Sequence, residues 1–198
     1  MKKDIILSGV GGQGILSIAT VIGEAAIAAG LHLKQAEVHG MSQRGGDVQS
    51  HLRLSDKPIF SDLIPRGQAD LIIAMEPMEA LRYVQYLHPN AWIVTASEPF
   101  VNIPNYPDSA TLKKNLDAFP NVVSRNIETL AKEASLPKSA NMVLLGMAAS
   151  HIAILTPEQL RAAIGRVFAR KGERVVADNL KAFDLGRDAA KQEIEPES

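Results

Sequence analysis

Short apolar runs alternate with helical patterns along the first two thirds of the chain. Asp4–Ser8, Ala69–Met75 and Trp92–Thr95 are near-continuous apolar segments, typical of strands that are buried on both faces. Between them, Ile15–Ala29 reads as a helix whose only charged residue is Glu24. This alternation of strands and helices predicts an α/β protein with a mostly parallel sheet.

A different pattern follows the second predicted strand, Leu31–Val38. His39–Gly46 is a loop with three glycines, and in Asp47–Leu54 polar side chains stand at every second position. Period two indicates a strand with one polar side. Because the loop is short, we expect these two strands to be antiparallel neighbours, which makes the sheet a mixed one.

The remaining elements complete a three-layer α/β sandwich. We expect strands at Pro58–Ser61 and Asn121–Val123, and helices at Glu76–Leu87, Ala110–Ala118, Ile127–Ala134, Met142–Ile154, Thr156–Arg170 and Glu173–Ala190. Residues 1–191 are predicted to form one domain, and residues 192–198 an acidic tail that frays.

Two of the helices lack a polar face. Ile15–Ala29 is apolar or small almost throughout, and Met142–Ile154 carries small residues, beginning with Gly146, that permit close approach of another backbone. A helix of this kind lies deep in a core or is covered by another chain.

Composition and charge narrow the function classes. The 198 residues are 46% hydrophobic with a net charge of −1, so no electrostatic argument favours nucleic acid or an anionic membrane. Cysteine is absent, which excludes a disulfide and any cluster or zinc ion held by thiolates of this chain. No apolar stretch reaches the roughly 18 residues of a membrane span, and we expect a cytoplasmic protein.

The first glycine loop has the spacing of a dinucleotide-binding motif. Gly9, Gly11 and Gly14 fit G-x-G-x-x-G, and Glu37 follows where an acidic residue would meet a ribose. In a dinucleotide-binding unit, however, the second strand leads into another helix, whereas here it leads into the period-two strand. Two interpretations stay open: an anion site at the N-terminus of the helix, or glycines that only allow a tight turn and close packing.

The second loop adds Gln43 and Arg44 between glycines. The planar guanidinium of Arg44 suits a phosphate or a carboxylate, although an exposed arginine on a flexible loop is the simpler alternative. A metal site would require a meeting of Glu37, His39 and His51, and we predict none. Glu76 stands before a proline, which is typical of a helix start and not of a catalytic base. No general acid or base can be assigned from the sequence.

The two loops together resemble the small, gamma-type subunits of 2-oxoacid:ferredoxin oxidoreductases, most closely those of the indolepyruvate type. The resemblance extends from Asp4 to Leu185. Its matching segments are Gly11–Gly14, Glu37, Gly40–Gly46, Asp70–Ala74, Glu76 with Pro77, and Asn141–Gly146.

The resemblance implies a fold like domain III of pyruvate:ferredoxin oxidoreductase and a subunit that is inactive alone. A larger partner subunit would hold thiamine diphosphate with magnesium and the 4Fe-4S clusters, and this chain would bind no cofactor tightly. The assembled enzyme would decarboxylate a 2-oxoacid, reduce ferredoxin and transfer the acyl group to coenzyme A.

The resemblance also places a site on the two loops. They would form part of the active-site wall, the approach for coenzyme A or the subunit interface. The residues concerned are Gly11, Gly12, Gln13, Gly14, Glu37, Gln43, Arg44, Gly45 and Gly46. Two alternatives remain: a free-standing NAD(P)-dependent reductase in which Arg44 reads a 2′-phosphate, and a non-catalytic scaffold subunit.

Overall fold

A six-stranded mixed sheet forms the centre of the molecule. The computed structural model describes residues 1–39 and 45–191. Its strands are β1 (Lys2–Val10), β2 (His32–His39), β3 (Asp47–Ser55), β4 (Ala69–Ala74), β5 (Leu87–Ala96) and β6 (Val122–Arg125), in the order β2-β3-β1-β4-β5-β6. β3 is antiparallel to β2 and to β1, and the other neighbours are parallel. The predicted fold class and the predicted β2–β3 pairing are confirmed.

Helices cover both faces of this sheet. They are α1 (Ile15–Ala28), α2 (Pro77–Arg82), α3 (Ser109–Asp117), α4 (Ile127–Glu133), α5 (Ala140–Ile152), α6 (Pro157–Phe168) and α7 (Glu173–Lys191). One face carries α1, α4 and α5, and the other carries α2 and α3. α6 packs on α1, and α7 packs on α5, outside the first helical layer.

The central strands supply the cores on both faces. On β1, Ile5 and Leu7 belong to the large core beneath α1 and α5, whereas Ile6 belongs to a smaller core beneath α2. Successive side chains of a strand point to opposite faces, so a strand with helices on both sides is apolar at every position. This explains why β1 and β4 read as unbroken apolar runs.

The apolar helices are covered by this chain itself. Ile18 and Ile22 of α1 are fully buried, and α6 crosses α1 with an ion pair of 2.6 Å between Arg166 Nε and Glu24 Oε1. α5 and α7 meet at two glycines: a Cβ on Gly146 would collide with the backbone carbonyl of Phe183. The predicted close approach of a backbone to α5 is therefore made by α7.

Three element predictions were wrong. Pro58–Ser61 is a loop, and Phe60 there is almost completely exposed. The helix predicted to reach Leu87 ends at Arg82 and is followed by a single 3-10 turn, and β5 begins at Leu87 instead of Trp92. The first part of β5 is exposed, so it has no apolar pattern from which a strand could be predicted.

Within the described ranges, no helix has the length and apolarity of a membrane span.

Candidate functional site

The two glycine loops meet at the carboxyl edge of the parallel strands. Gly11 N donates to Gly46 O at 2.8 Å, and Gly45 N donates to Gly11 O at 3.4 Å. The contact follows from the topology, because antiparallel pairing of β3 with β1 sets Asp47 opposite Val10. Residues 40–44, which include Gln43 and Arg44, lie outside the described residues.

Gln13 braces the first loop with its own side chain. Its Oε1 accepts from Val10 N at 2.7 Å, and its Nε2 donates to Met75 O at 3.4 Å, so the loop is tied to the end of β4. Gly9 leaves the space for this contact, since a Cβ there would lie 3.1 Å from Gln13 Oε1. The amide of Gln13 is thus engaged within the protein.

Gly14 joins the N-terminus of α1 to that of α5. Its backbone is left-handed, with φ of 84°, and its carbonyl accepts from Asn141 Nδ2 at 3.1 Å. A Cβ on Gly14 would lie 2.8 Å from the same nitrogen. Asn141 is in the first turn of α5, and so the starts of the two helices are held side by side.

A cavity of about 570 Å³ opens at this junction. The glycine loop forms one wall, and the start of α5 forms another. Its lining residues are Gly12, Gln13, Gly14, Ser17, Glu128, Pro137, Lys138, Ser139, Ala140, Asn141, Phe168, Lys171, Val175, Asp178 and Asn179. The cavity is polar on the side of the helix starts, and it has charges of both signs.

Glu76 organises the neighbouring edge of the site. It is completely buried and caps α2 by accepting from Glu79 N at 2.8 Å, as its position before a proline predicts. Its other oxygen accepts from Phe100 N at 3.3 Å and from the hydroxyl of Tyr106. Burial raises the pKa of this carboxyl above its ordinary value.

The loop anchored by Glu76 was not recognised from sequence as part of the site. Within it, Asn102 Nδ2 donates to Gly45 O at 2.9 Å, so the loop reaches the second glycine loop. Its apolar side chains face outwards: Phe100 is 47% exposed, Val101 70% and Ile103 36%. The partners of Glu76 are 24 and 30 residues further along the chain, which leaves no local signal.

Glu37 lies apart from the first glycine loop. It is on β2, and β3 separates that strand from β1. Ala36 is the register partner of His51, so Glu37 and His51 point to opposite faces of the sheet. Among the described residues, no group of three side chains is placed to hold a metal ion.

Comparisons with known proteins identify the class to which this fold and site belong. The family model for pyruvate ferredoxin/flavodoxin oxidoreductase matches residues 4–189. Indolepyruvate oxidoreductase subunit IorB from Pyrococcus horikoshii is 36% identical over 97% of this chain and 98% of that protein. The chain belongs to the pyruvate ferredoxin/flavodoxin oxidoreductase family.

Solved structures share the fold. The gamma subunit of a keto/oxoacid ferredoxin oxidoreductase from Geobacter sulfurreducens superposes with a TM-score of 0.69 at 26% identity, over 96% of this chain and 99% of that one. A 2-oxoglutarate:ferredoxin oxidoreductase from Magnetococcus marinus gives 0.73 at 24% identity, over 96% of this chain but only 31% of that one. The same fold therefore occurs as a separate subunit and as part of a longer chain.

Proposed function

We propose that this chain is the small subunit of an indolepyruvate-type 2-oxoacid:ferredoxin oxidoreductase. With a larger subunit it would catalyse oxidative decarboxylation of a 2-oxoacid to an acyl-coenzyme A, with reduction of ferredoxin. The observation that carries the proposal is the full-length similarity to an indolepyruvate oxidoreductase subunit, at 36% identity. We propose a cytoplasmic enzyme that binds no nucleic acid and no membrane.

The cofactors belong to the partner in this proposal. This chain has no cysteine, so it cannot ligate a 4Fe-4S cluster through thiolates. Its described residues also offer no cluster of carboxylates and imidazoles for a metal. Thiamine diphosphate, magnesium and the clusters are accordingly assigned to the larger subunit, and coenzyme A is a co-substrate of the assembly.

The contribution of this chain is a rigid rim beside the reacting groups. Gly11, Gly12 and Gly14, with Gly45 and Gly46, present backbone without side chains, so that a substrate or a partner loop can approach closely. Gln13 fixes that rim to β4. Gln43 and Arg44 of the second loop, and Glu37 on the strand that precedes it, belong to the proposed set, although Glu37 lies apart from the first loop. The roles proposed for the set are active-site wall, coenzyme A approach or subunit interface.

The exposed loop beside the rim supports a partner at this edge. Phe100, Val101 and Ile103 form an apolar patch that is held in place by the buried Glu76. Contiguous apolar surface of this kind, next to a polar site, is typical of an interaction surface. We propose that the larger subunit covers it.

Reconstitution tests the proposal. The chain is purified alone and with its co-expressed large subunit, and viologen reduction is followed with indolepyruvate and coenzyme A. We expect turnover only in the complex, with 2-oxoglutarate and pyruvate as poorer substrates. Turnover by the isolated chain would contradict the subunit assignment, and preference for another 2-oxoacid would contradict the indolepyruvate assignment.

A Val101→Asp variant tests the proposed surface. A carboxylate in the apolar patch should weaken subunit association by at least tenfold, because it would be buried without a partner. Glu133→Gln, on the exposed surface of α4, is the control. Equal subunit affinity for both variants would place the interface elsewhere.

A further inference from the structure

We propose that a second cavity, at the edge of the sheet opposite the glycine loops, is a binding site for an aromatic carboxylate. The cavity has a volume of about 370 Å³, and its walls are the start of β6 and the C-terminal parts of α5 and α7. Along α5, about 15 Å separate His151 in its wall from Asn141 beside the first glycine loop. Largely apolar cavities of this size, with a few polar groups, are typical of small-molecule sites.

Two stacked aromatic rings form one wall of this cavity. The centroids of the Trp92 and His151 rings are 4.0 Å apart, and their planes are inclined by 29°. Trp92 also packs against the large core, which holds its indole in place. Pro120 and Val122 add apolar surface. A flat apolar group suits such walls, because aromatic rings combine a large buried area with favourable stacking.

Two cations stand at the same cavity. Arg187 and Lys191 are four residues apart on α7, so their side chains leave the same face of the helix. Arg187 pairs with Glu158 at 3.9 Å and Lys191 with Asp188 at 3.2 Å, but the side chains of these carboxylates are 74% and 72% exposed. Exposed pairs contribute little, so both cations can bind an anion in the cavity. Within residues 1–39 and 45–191, no carboxylate lines the cavity itself.

The third titratable side chain of the wall is neutral. Burial, with a smaller effect of the charge on Lys3, lowers the pKa of His151 below its ordinary 6.5, so its imidazole is uncharged at pH 7. A neutral imidazole offers one donor and one acceptor but no charge. The charge of the lining is therefore that of two cations on one side of a mostly apolar cavity.

This arrangement suits a carboxylate better than a phosphate. The guanidinium of Arg187 has the planar fork that matches the two oxygens of a carboxylate. A phosphate would present a third oxygen and further charge to apolar walls, where a charge without a partner is costly. The ligand class is accordingly a flat apolar body that carries one carboxylate.

The walls are in place before any ligand binds. At Gly146, which lines the cavity, α5 and α7 approach so closely that no Cβ fits between them. Arg187 directly follows Gly186, the other glycine of this crossing. The crossing thus fixes the backbone that carries the cation relative to the backbone that carries His151. A preformed site loses little entropy when its ligand binds.

Titration of the full chain tests the proposal. Trp92 is the only tryptophan of the sequence, so its fluorescence reports on the cavity, and equilibrium dialysis measures the same affinity without relying on emission. The compounds are phenylacetate, the uncharged phenylacetamide of the same shape, and hexanoate, a carboxylate without a ring. We expect phenylacetate to bind with a dissociation constant of roughly 0.1–1 mM, as suits a ligand of about ten non-hydrogen atoms.

The comparison compounds separate the parts of the proposal. Phenylacetamide and hexanoate should each bind at least about tenfold more weakly than phenylacetate, because one lacks the charge and the other lacks the ring. Equal affinity for phenylacetamide would overturn the carboxylate, and equal affinity for hexanoate would overturn the aromatic class. No binding of phenylacetate below about 20 mM, far above the expected range, would overturn the site.

Variants place the ligand in the cavity. Arg187→Gln should weaken phenylacetate binding by about tenfold, the effect of losing a charge-assisted hydrogen bond, and leave phenylacetamide unchanged. Ser150→Phe, at an exposed position of the wall, should exclude both compounds by filling the cavity. Arg170→Gln, an exposed arginine that does not line the cavity, is the control. Equal phenylacetate affinity in all three variants would overturn the site.

The same titration of the co-expressed complex shows whether a partner subunit covers the cavity. We expect unchanged affinity for phenylacetate, and loss of binding in the complex would overturn the proposal. Neither result depends on which 2-oxoacid the complex turns over. The ligand site and the proposed function therefore fail separately.

Discussion

Gly14 meets two demands that only glycine satisfies together. Its φ of 84° costs a residue with a side chain roughly 1–2 kcal/mol, and a Cβ would also press on Asn141. We expect Gly14→Ala to lower the free energy of unfolding by about 2–3 kcal/mol, because the bond from Asn141 is lost as well.

Gly12→Ala is the matched control for that prediction. Gly12 has φ of 104°, but a Cβ there would meet nothing within 4 Å, so this variant bears the backbone strain alone. Urea denaturation gives the free energy of unfolding of both variants. We expect Gly14→Ala to be less stable than Gly12→Ala by about 1 kcal/mol, which is the contribution of the contact with Asn141. Equal losses would mean that Asn141 moves aside freely.

Glu76 should make the folded chain less stable as the pH rises, which is the opposite of the usual effect of a carboxyl group. Its pKa is raised above the ordinary 4.5, chiefly by burial, so the folded chain binds its proton more tightly than the unfolded chain does. Stability from this group is present at pH values below 4.5 and is lost as the pH rises from 4.5 through the raised pKa.

The Glu76→Gln variant removes that titration. Denaturation at pH values between 4 and 8 should show the variant gaining stability relative to the unaltered chain as the pH rises. Glu79, buried and paired with Arg82, is retained in the variant, and its charge is one of the causes that raise the pKa of Glu76. Parallel pH profiles would show that the ionised Glu76 is fully compensated by its hydrogen bonds.

Sequence revealed the local roles of these residues but not their distant ones. Glu76 before Pro77 predicts a helix start, and the four glycines between Gly9 and Gly14 predict a tight turn. The contact of Gly14 with Asn141 spans 127 residues, and that of Glu76 with Tyr106 spans 30. Such contacts depend on how layers pack, which no local pattern encodes.

Among the elements, the crossing of α5 and α7 is the most constrained. The two backbones come together at Gly146 and Gly186, where a Cβ on either glycine would collide with a carbonyl of the other helix. We expect Gly146→Ala to destabilise the chain by about 3 kcal/mol or more, because the helices must separate along their length.

Gly165→Ala in α6 is the control for the crossing. A Cβ there would meet nothing within 4 Å, so the variant should gain about 0.5–1 kcal/mol from higher helix propensity. If the crossing has no room for a Cβ, thermal unfolding should show a lower melting temperature for Gly146→Ala and a higher one for Gly165→Ala. A small loss for Gly146→Ala would mean that the helices tolerate a wider separation.

The element predictions succeeded where a face is buried and failed where it is not. The small residues of α5 predicted a close approach, although nothing in that segment identified α7 as its partner. β5 begins at Leu87 through pairing with Ala69, a register that then shifts before Leu71. An exposed strand end held by pairing alone leaves no hydrophobic period to detect.

At the scale of the whole molecule, strand order argues against a dinucleotide site. In the dinucleotide-binding fold the strand beside the first one is parallel and ends near an acidic residue that binds the ribose. Here antiparallel β3 takes that place, and Glu37 lies one strand further out. We expect no binding of NAD(H) or NADP(H) in the low micromolar range by calorimetry.

A low-micromolar dissociation constant for either nucleotide would contradict this prediction and favour the free-standing reductase. ADP serves as the comparison, since it carries a diphosphate without the nicotinamide. Weak binding of all three at similar affinity would show recognition of the shared ADP group, not of the nicotinamide.

The overall architecture could be predicted because strand and helix patterns alternate along the chain. Strand and helix patterns gave the α/β class, and the period-two strand at residues 47–54 gave the mixed sheet. Which helices share a face was not predictable, since α1 and α2 follow β1 and β4 in similar ways yet pack on opposite sides.

The α5–α7 crossing also has a consequence for synthesis. Strand β1 and helix α5 leave the ribosome before α7, which begins only at Glu173, after all of α6. At ~5–20 residues per second the nascent chain waits a few seconds for the helix that closes its largest core. During that interval the bare face of α5 is a natural target for chaperones, and expression at lower temperature or with added chaperone should raise the yield of folded chain.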